Sequence, residues 1–134
     1  MATIMVQLAE YDWTLRALHS ACPMARTHQT DVTLVRMVPV QHFGWLGSEL
    51  AHAPLAGAEY ETLLTYTNTV ESYGTKLTIQ TMQYTSLIDA LVEAAHHLDA
   101  VAVFAVLPQS SFPLWQKFKT WDFHRRLPAQ HYSM

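Results

Sequence analysis

Two adjacent serines, Ser110 and Ser111, stand just before a proline in the carboxy-terminal third of the sequence. A hydroxyl followed by Pro113 is typical of the first turn of a helix, where serine caps free backbone amides. The same amides and hydroxyls, together with the carboxamide of Gln109, are groups that hold a small anion or a phosphate. The segment therefore has two interpretations, a helix cap or a ligand-binding turn.

A carboxylate and a tryptophan are further candidates for ligand contacts. Glu10 follows the apolar run of the first predicted strand. Its carboxylate would then lie at a strand end, the alternative being an ordinary exposed loop carboxylate. Trp45 stands between Gly44 and Gly47 in a long loop. It could close over a ligand or bury itself against a partner chain.

The histidines and the single cysteine do not indicate a metal centre. His96 and His97 are adjacent, so on a helix they point in different directions and cannot ligate one ion together. His42 and His52 form a pair without further ligands, whereas a structural metal site needs four. Cys22 lies on the predicted apolar face of a helix and is expected to be a small buried hydrophobe. We predict no metal site.

No arrangement of nucleophile, base and acid stands at a spacing that indicates catalysis. A hydrolase of nucleotides would need a positioned base and a phosphate cradle, and neither can be identified in the sequence. We therefore predict no catalytic residues, no cofactor and no enzymatic activity.

The composition restricts the class of protein. The 134 residues fit a single domain, residues 1–134. A composition of 50% hydrophobic and only 14% charged residues excludes a disordered chain. A net charge of −3 lacks the basic footprint of a nucleic-acid-binding protein. No apolar run reaches the length of a membrane span, and no signal peptide is recognisable. We expect a cytoplasmic protein without nucleic-acid or membrane partners.

Apolar runs alternate with amphipathic stretches along the whole chain, which predicts a parallel sheet covered by helices on both faces. Asp12 is expected to cap the first helix, and Pro23 to kink or end it. Ser86 is a candidate cap for the third helix, and Gly74 a stop for the second. The predicted strands are Thr3–Leu8, Asp31–Val40, Lys76–Met82 and Ala100–Leu107, with a fifth in His131–Met134; the predicted helices are 12–28, Ala58–Tyr73, Leu87–Leu98 and Pro113–Arg126.

Aromatic residues crowd the last predicted helix. Trp115, Phe118 and the Trp121–Asp122 step recur at helical spacing, which is the ordinary signature of a core-facing stripe. Aromatic residues are also enriched at interfaces between chains. The stripe is therefore interpreted as core, or as core shared with a dimer interface.

Three stretches carry a resemblance to a known family. IMVQLAEYDWTLRAL is similar to the opening strand, turn and helix of the universal stress proteins, and DVTLVRMVPV to their second strand. SLIDALVEAAHHLDAVAVFAV resembles the helix that leads into their buried fourth strand, and Gly74 followed by KLTIQTM fits their third. The order and spacing of these stretches match over residues 3–127.

The resemblance implies a three-layer α/β fold of the adenine nucleotide alpha-hydrolase-like type, with an open parallel sheet in the order 3-2-1-4-5. It also implies a homodimer formed through the last strand, and many members of the family bind ATP. In an open α/β sheet the ligand site lies outside the carboxyl ends of the strands where the strand order reverses. That crevice falls between the ends of the first and fourth strands.

The sequence departs from the family's ATP-binding pattern at two places. Binding members carry an acidic residue at the end of the first strand, where this chain has Ala9 followed by Glu10. They also carry Gly-x2-Gly-x9-Gly-Ser/Thr after the fourth strand, but Val106–Thr120 contains no glycine. Glycines at those positions let the backbone approach phosphates. We therefore expect no ATP binding through the family motif.

Two functions remain open. The first is a non-catalytic, homodimeric domain resembling universal stress proteins, which acts through an unidentified protein partner in a stress response. The second is a sensor of a small ligand or nucleotide in the same crevice. Its contacts would come from the turn after the first strand, the turn after the fourth and the loop tryptophan, namely Ala9, Glu10, Gln109, Ser110, Ser111 and Trp45.

Overall fold

A computed structural model describes residues 2–39, 57–107 and 113–132. Strands and helices alternate strictly along these ranges, as the apolar periodicity predicts. None of the helices in these ranges is long and apolar enough to cross a membrane. The elements in chain order are β1 (Thr3–Gln7), α1 (Tyr11–Thr27), β2 (Asp31–Pro39), α2 (Gly57–Ser72), β3 (Leu77–Tyr84), α3 (Leu87–His97), β4 (Ala100–Phe104), α4 (Pro113–Arg126) and β5 (Gln130–Tyr132).

The five strands form one sheet in the order β3-β2-β1-β4-β5, and all four neighbouring pairs are parallel. The strand order and the fold class expected from the resemblance are confirmed. β1 lies in the middle, with Val6 opposite both Leu34 of β2 and Phe104 of β4. The predicted fifth strand forms one residue earlier than expected and covers only three residues, Gln130–Tyr132.

Alternate residues of the central strands fill two separate cores. Ile4 and Val6 face α1 and α2 and join one buried cluster there, whereas Met5 faces the other side and joins α3 and Phe123 of α4. All five residues of β1 are buried, because helices cover both of its faces. This arrangement explains why its sequence is a nearly continuous apolar run.

Helix α1 departs from its prediction at both marked residues. It starts at Tyr11 instead of after an Asp12 cap, and it continues through Pro23 to Thr27, so the early end expected at the proline is wrong. A proline removes one backbone donor. The cost is offset because Ala21 and Ala25, on either side of it, remain fully buried in the core.

The other helix ends follow the prediction closely. Gly74 adopts a left-handed φ of 77° two residues after α2, a conformation that glycine reaches without strain. The hydroxyl of Ser86 accepts a hydrogen bond from the amide of Asp89 at 3.4 Å and caps α3.

Two strand ends differ from their prediction. β3 extends two residues beyond its predicted end, and β4 ends at Phe104 instead of Leu107.

The aromatic stripe of α4 lies on the side opposite to the core. Phe123 is fully buried, but Phe118 and Trp121 keep 53% and 58% of their surface exposed, so the prediction that they are core residues is wrong. At 100° per residue these two side chains lie about 140–160° around the helix from Phe123. The side chain of Trp115 lies outside the described residues.

Candidate functional site

The carboxyl ends of β1 and β4 meet at the point where the strand order reverses, which is where ligands bind in open α/β sheets. Gln7 is the last residue of β1, and its side chain is buried. Its Oε1 accepts a hydrogen bond from the backbone amide of Val106, just beyond β4, at 2.7 Å. The Gln7 carboxamide therefore bridges the crevice between the two strand ends.

The residue that follows Gln7 is still hydrogen-bonded to β2. The amide of Leu8 donates to the carbonyl of Val35 at 2.9 Å, so the backbone next to the crevice is already paired on its β2 side. The Gln7 side chain thus supplies an acceptor for the amide of Val106, which lies two residues beyond the end of β4. Buried amides need such a partner, since leaving one unpaired is costly.

The turn from β1 into α1 places two of the predicted site residues next to each other. The amide of Ala9 donates to Thr14 Oγ1 at 3.0 Å, and that hydroxyl donates to the carbonyl of Glu10 at 2.9 Å. Ala9 is half-buried against the α1 core, whereas the Glu10 side chain is exposed. Thr14 therefore fixes the turn, and neither predicted site residue has a polar side chain buried at the crevice.

A buried tyrosine of α2 packs against this turn. Tyr66 of α2 is almost fully buried, hydrogen-bonds Thr14 and stacks on Tyr11 with ring centroids 5.8 Å apart. Burial raises the pKa of the Tyr66 hydroxyl, the Thr14 bond opposes that rise, and nearby Tyr11 adds to it. The turn that faces the crevice is therefore rigidly packed against α2.

The chain that leaves β4 begins by covering apolar surface. Val106 is partly exposed, and Leu107 packs against the core on the α3 side. An apolar side chain directed into the core adds no polar contact for a ligand. Four of the six predicted site residues lie outside the described residues: Trp45, Gln109, Ser110 and Ser111.

Two functional features were missed by the sequence analysis. Gln7 was not singled out, although a glutamine inside the apolar run TIMVQL is the signal that could have found it. A groove of about 550 Å³ lies at the opposite, amino-terminal end of the sheet, lined in part by Thr33, Thr78, Gln80 and His97. It was not predicted, because nothing in the sequence tells how much of β3 the helix α3 covers.

The single cysteine and the adjacent histidine pair can be placed in the structure. Cys22 is fully buried, and burial raises its pKa to about 11, so the thiolate is strongly disfavoured. His96 and His97 are both exposed. Within residues 2–39, 57–107 and 113–132, no three His, Cys, Asp or Glu side chains stand close enough to hold a metal ion.

The structure brings together a second pair of histidines, which are seven residues apart in the sequence. His124 Nε2 of α4 and His131 Nδ1 of β5 are 2.7 Å apart, and His131 Nε2 lies 2.8 Å from the carbonyl of Ala105. A carbonyl only accepts, so His131 carries its proton on Nε2, and His124 donates to the bare Nδ1. Burial lowers the pKa of His131, which keeps it neutral.

No family model matches the sequence, and no curated protein matches it either. Solved structures do match over 98% of the chain. Universal stress protein UspA from Lactobacillus plantarum superposes with a TM-score of 0.67 at 18% identity over 95% of its length. A universal stress protein from Archaeoglobus fulgidus in complex with dAMP has a TM-score of 0.64 and 16% sequence identity over 95% of its length. A universal stress protein in complex with cAMP has a TM-score of 0.66 and 16% sequence identity over 94% of its length.

The similarity covers nearly all of both chains, so the match is to the whole fold and not to a shared βαβ unit. The strand order, the parallel pairing and the crevice at the β1–β4 reversal agree with the resemblance found in the sequence. This chain has the fold of the universal stress proteins.

Proposed function

We propose that this chain is a non-catalytic domain of the universal stress protein type that acts in a stress response through contacts with other proteins and does not bind ATP through the family motif. The observation that carries the proposal is the absence of glycine from the whole of Val106–Thr120. A triphosphate needs close backbone approach and free amides, which Cβ atoms and prolines obstruct. Pro108 and Pro113 each remove one amide from the same segment.

The described part of the crevice supports this proposal. The amide of Val106 is the first backbone donor beyond β4 on this side, and it is already used by Gln7. The position of the family's acidic residue is occupied by Ala9, which has no polar side-chain atom. An exposed Glu10 one residue later repels phosphate unless a metal ion or a sugar hydroxyl intervenes.

We propose a homodimer formed through β5. This strand is at one edge of the sheet and pairs on one side with β4, from Ala102–Gln130 to Phe104–Tyr132. Tyr132 also stacks on Phe104 with centroids 4.9 Å apart, which holds the strand in a fixed position. An ordered edge strand offers its unpaired side to the same strand of a second copy. Light scattering coupled to size exclusion gives the mass in solution and tests the dimer directly.

One observation favours a second function. Two of the structural neighbours were solved with adenine nucleotides, cAMP and dAMP. A sensor of such a ligand would use the same crevice with altered contacts, from Glu10 on one side and from Gln109, Ser110 and Ser111 on the other, with Trp45 as a cover. In this alternative the cleft recognises a nucleoside monophosphate and not the triphosphate.

A thermal-shift titration separates the two functions. ATP, AMP, cAMP and dAMP are each added with magnesium at increasing concentration, because a ligand that binds only the native state raises its stability by RT ln(1 + [L]/Kd). The interaction protein shows no shift with any of them. The sensor shows a shift with a monophosphate, and Ser110→Ala combined with Ser111→Ala abolishes that shift. We place the protein in the cytoplasm and assign it no enzymatic activity.

A further inference from the structure

The outward face of α4 carries three large apolar side chains that each keep more than half of their surface exposed. Leu114, Phe118 and Trp121, here called the outer stripe, are 82%, 53% and 58% exposed. They recur at i, i+4 and i+7, and at 100° per residue they fall within about 60° of one another around the helix. The outer stripe is therefore a continuous apolar ridge and not a scatter of single exposed residues.

The other sides of α4 are already used by the fold. Phe123 enters the core opposite the outer stripe. Arg126 reaches α3 through an ion pair with Asp89 at 2.7 Å, and His124 reaches β5 through the His131 contact. The outer stripe thus points away from the core.

The charge of α4 is opposite to that of the protein. The helix contains four of the eight Lys and Arg residues of the chain but only one of its eleven acidic residues. Lys117 lies beside the stripe and is exposed. The guanidinium of Arg125 lies 5.0 Å from the centre of the Trp121 ring, and it also forms an ion pair with Asp122 at 2.8 Å.

We propose that the outer stripe of α4 docks the protein on an anionic lipid surface. Leucine and aromatic side chains enter the boundary between headgroups and acyl chains, while the flanking lysine and arginine heads meet lipid phosphates. Tryptophan is favoured at this depth, because its ring is apolar and its N–H remains close to water. The proposal replaces the expectation, drawn from the sequence, that the chain has no membrane partner, and it holds whether or not the crevice binds a nucleotide.

Charge and area argue for lipid over a second copy of the chain. Two outer stripes placed face to face would bring Lys117 and Arg125 of each copy against the same cations of the other. The exposed surface of three such side chains is about 300–400 Å², well below the 800 Å² that each partner of a stable complex contributes. Reversible attachment to a membrane needs no larger area when basic residues assist it.

The test is co-sedimentation of the full chain with vesicles of phosphatidylcholine, with or without about 30% phosphatidylglycerol. We expect binding to the anionic vesicles and at least about a fivefold weaker binding to the neutral ones. Lys117→Glu should weaken the anionic binding by about fivefold or more, since each basic residue near the surface contributes roughly that factor. Lys76→Glu, an exposed lysine at the start of β3, changes the net charge equally and serves as its control.

The apolar part is tested with Leu114→Ser combined with Trp121→Ser, both at exposed positions, so folding is not at risk. This variant should lose about tenfold or more of the vesicle binding. Leu64→Ser on α2, another exposed leucine, should bind as the unmodified protein does. Three results would overturn the proposal. They are absence of binding to anionic vesicles at low salt, equal binding to neutral vesicles, and vesicle binding that the stripe variants leave unchanged.

Discussion

The side-chain carbonyl of Gln7 accepts a hydrogen bond from the amide of Val106 across 99 residues of sequence, at 2.7 Å. This contact joins the ends of the two strands between which the sheet order reverses. In an open α/β sheet that place is the expected entrance to a ligand site. Here a buried carboxamide of the chain itself accepts from the amide of Val106, the second residue after β4.

Replacing the carboxamide removes the acceptor of a part-buried backbone amide. We expect Gln7→Leu to lower the free energy of unfolding by about 1–3 kcal/mol, because Val106 then loses its acceptor. Gln80→Leu is the matched control, since Gln80 is exposed on β3. Urea denaturation followed by circular dichroism measures both variants. Equal stability of Gln7→Leu and Gln80→Leu would mean that the bridge does not hold the strand ends.

The hydroxyl of Thr14 is the second determinant of this edge, since it accepts from Ala9 and donates to Glu10. Thr14→Val keeps the shape and removes both bonds, so we expect a loss of about 1–3 kcal/mol in stability. Thr14→Ser should retain most of the stability. Thr65→Val removes a comparable bond to Glu61 on the exposed side of α2 and should change the unfolding midpoint little. A larger loss in Thr65→Val would contradict the assignment.

The pair of His124 and His131 makes the attachment of β5 sensitive to acid. The folded-state pKa of His131 lies below the ordinary 6.5, chiefly because of burial, so the unfolded chain takes up this proton at a higher pH than the native one. The corresponding stability is complete above pH 6.5. It is lost as the pH falls from there through the folded-state pKa. A proton on Nδ1 would also face the donated N–H of His124 and break the pair.

The unfolding midpoints of His131→Gln and of the unmodified chain, measured between neutral and mildly acidic pH, check this. The difference between the two proteins should shrink with acidification. His97→Gln, at an exposed position on α3, is the control for the loss of a histidine side chain. A constant difference for His131→Gln would show that the pair does not titrate in this range.

Cys22 provides a probe of the α1 core. A pKa of about 11 against an ordinary 9.0 lowers the thiolate fraction at pH 8 about 100-fold, and the side chain is fully buried. Reaction with a disulfide reagent should therefore be at least about 100-fold slower in the native protein than in denaturant. A disulfide reagent that releases a chromophore on reaction with a thiol gives the rate by absorbance. Since the sequence has one cysteine, this rate belongs to Cys22 alone. Equal rates in both conditions would place Cys22 at the surface.

The alternation of apolar and amphipathic stretches was sufficient to predict every helix and strand among the described residues. The boundaries differ where packing decides them. Pro23 does not end α1, because Ala21 and Ala25 hold the helix against the sheet on both sides of it. β4 ends at Phe104, three residues before its predicted end, although the amide of Ala105 still donates to the carbonyl of Tyr132.

The site was less predictable than the fold. Gln7 stands in an apolar run, and its partner Val106 is far away in the sequence, so no local pattern connects them. The spacing of Phe118 and Trp121 correctly marks one face of α4, but spacing does not tell which face meets the core. That choice is made by Phe123, which a single sequence does not distinguish from its aromatic neighbours.

The measurement that tests the central claim most directly is calorimetric titration of the full chain with ATP and magnesium. The dAMP-binding universal stress protein of Archaeoglobus fulgidus, titrated with dAMP, serves as a positive control for the assay. We expect no heat of binding up to millimolar ATP, because Val106–Thr120 contains none of the glycines that let a backbone approach phosphates. Saturable ATP binding at micromolar concentration, lost in a variant of Ser110 and Ser111, would contradict it.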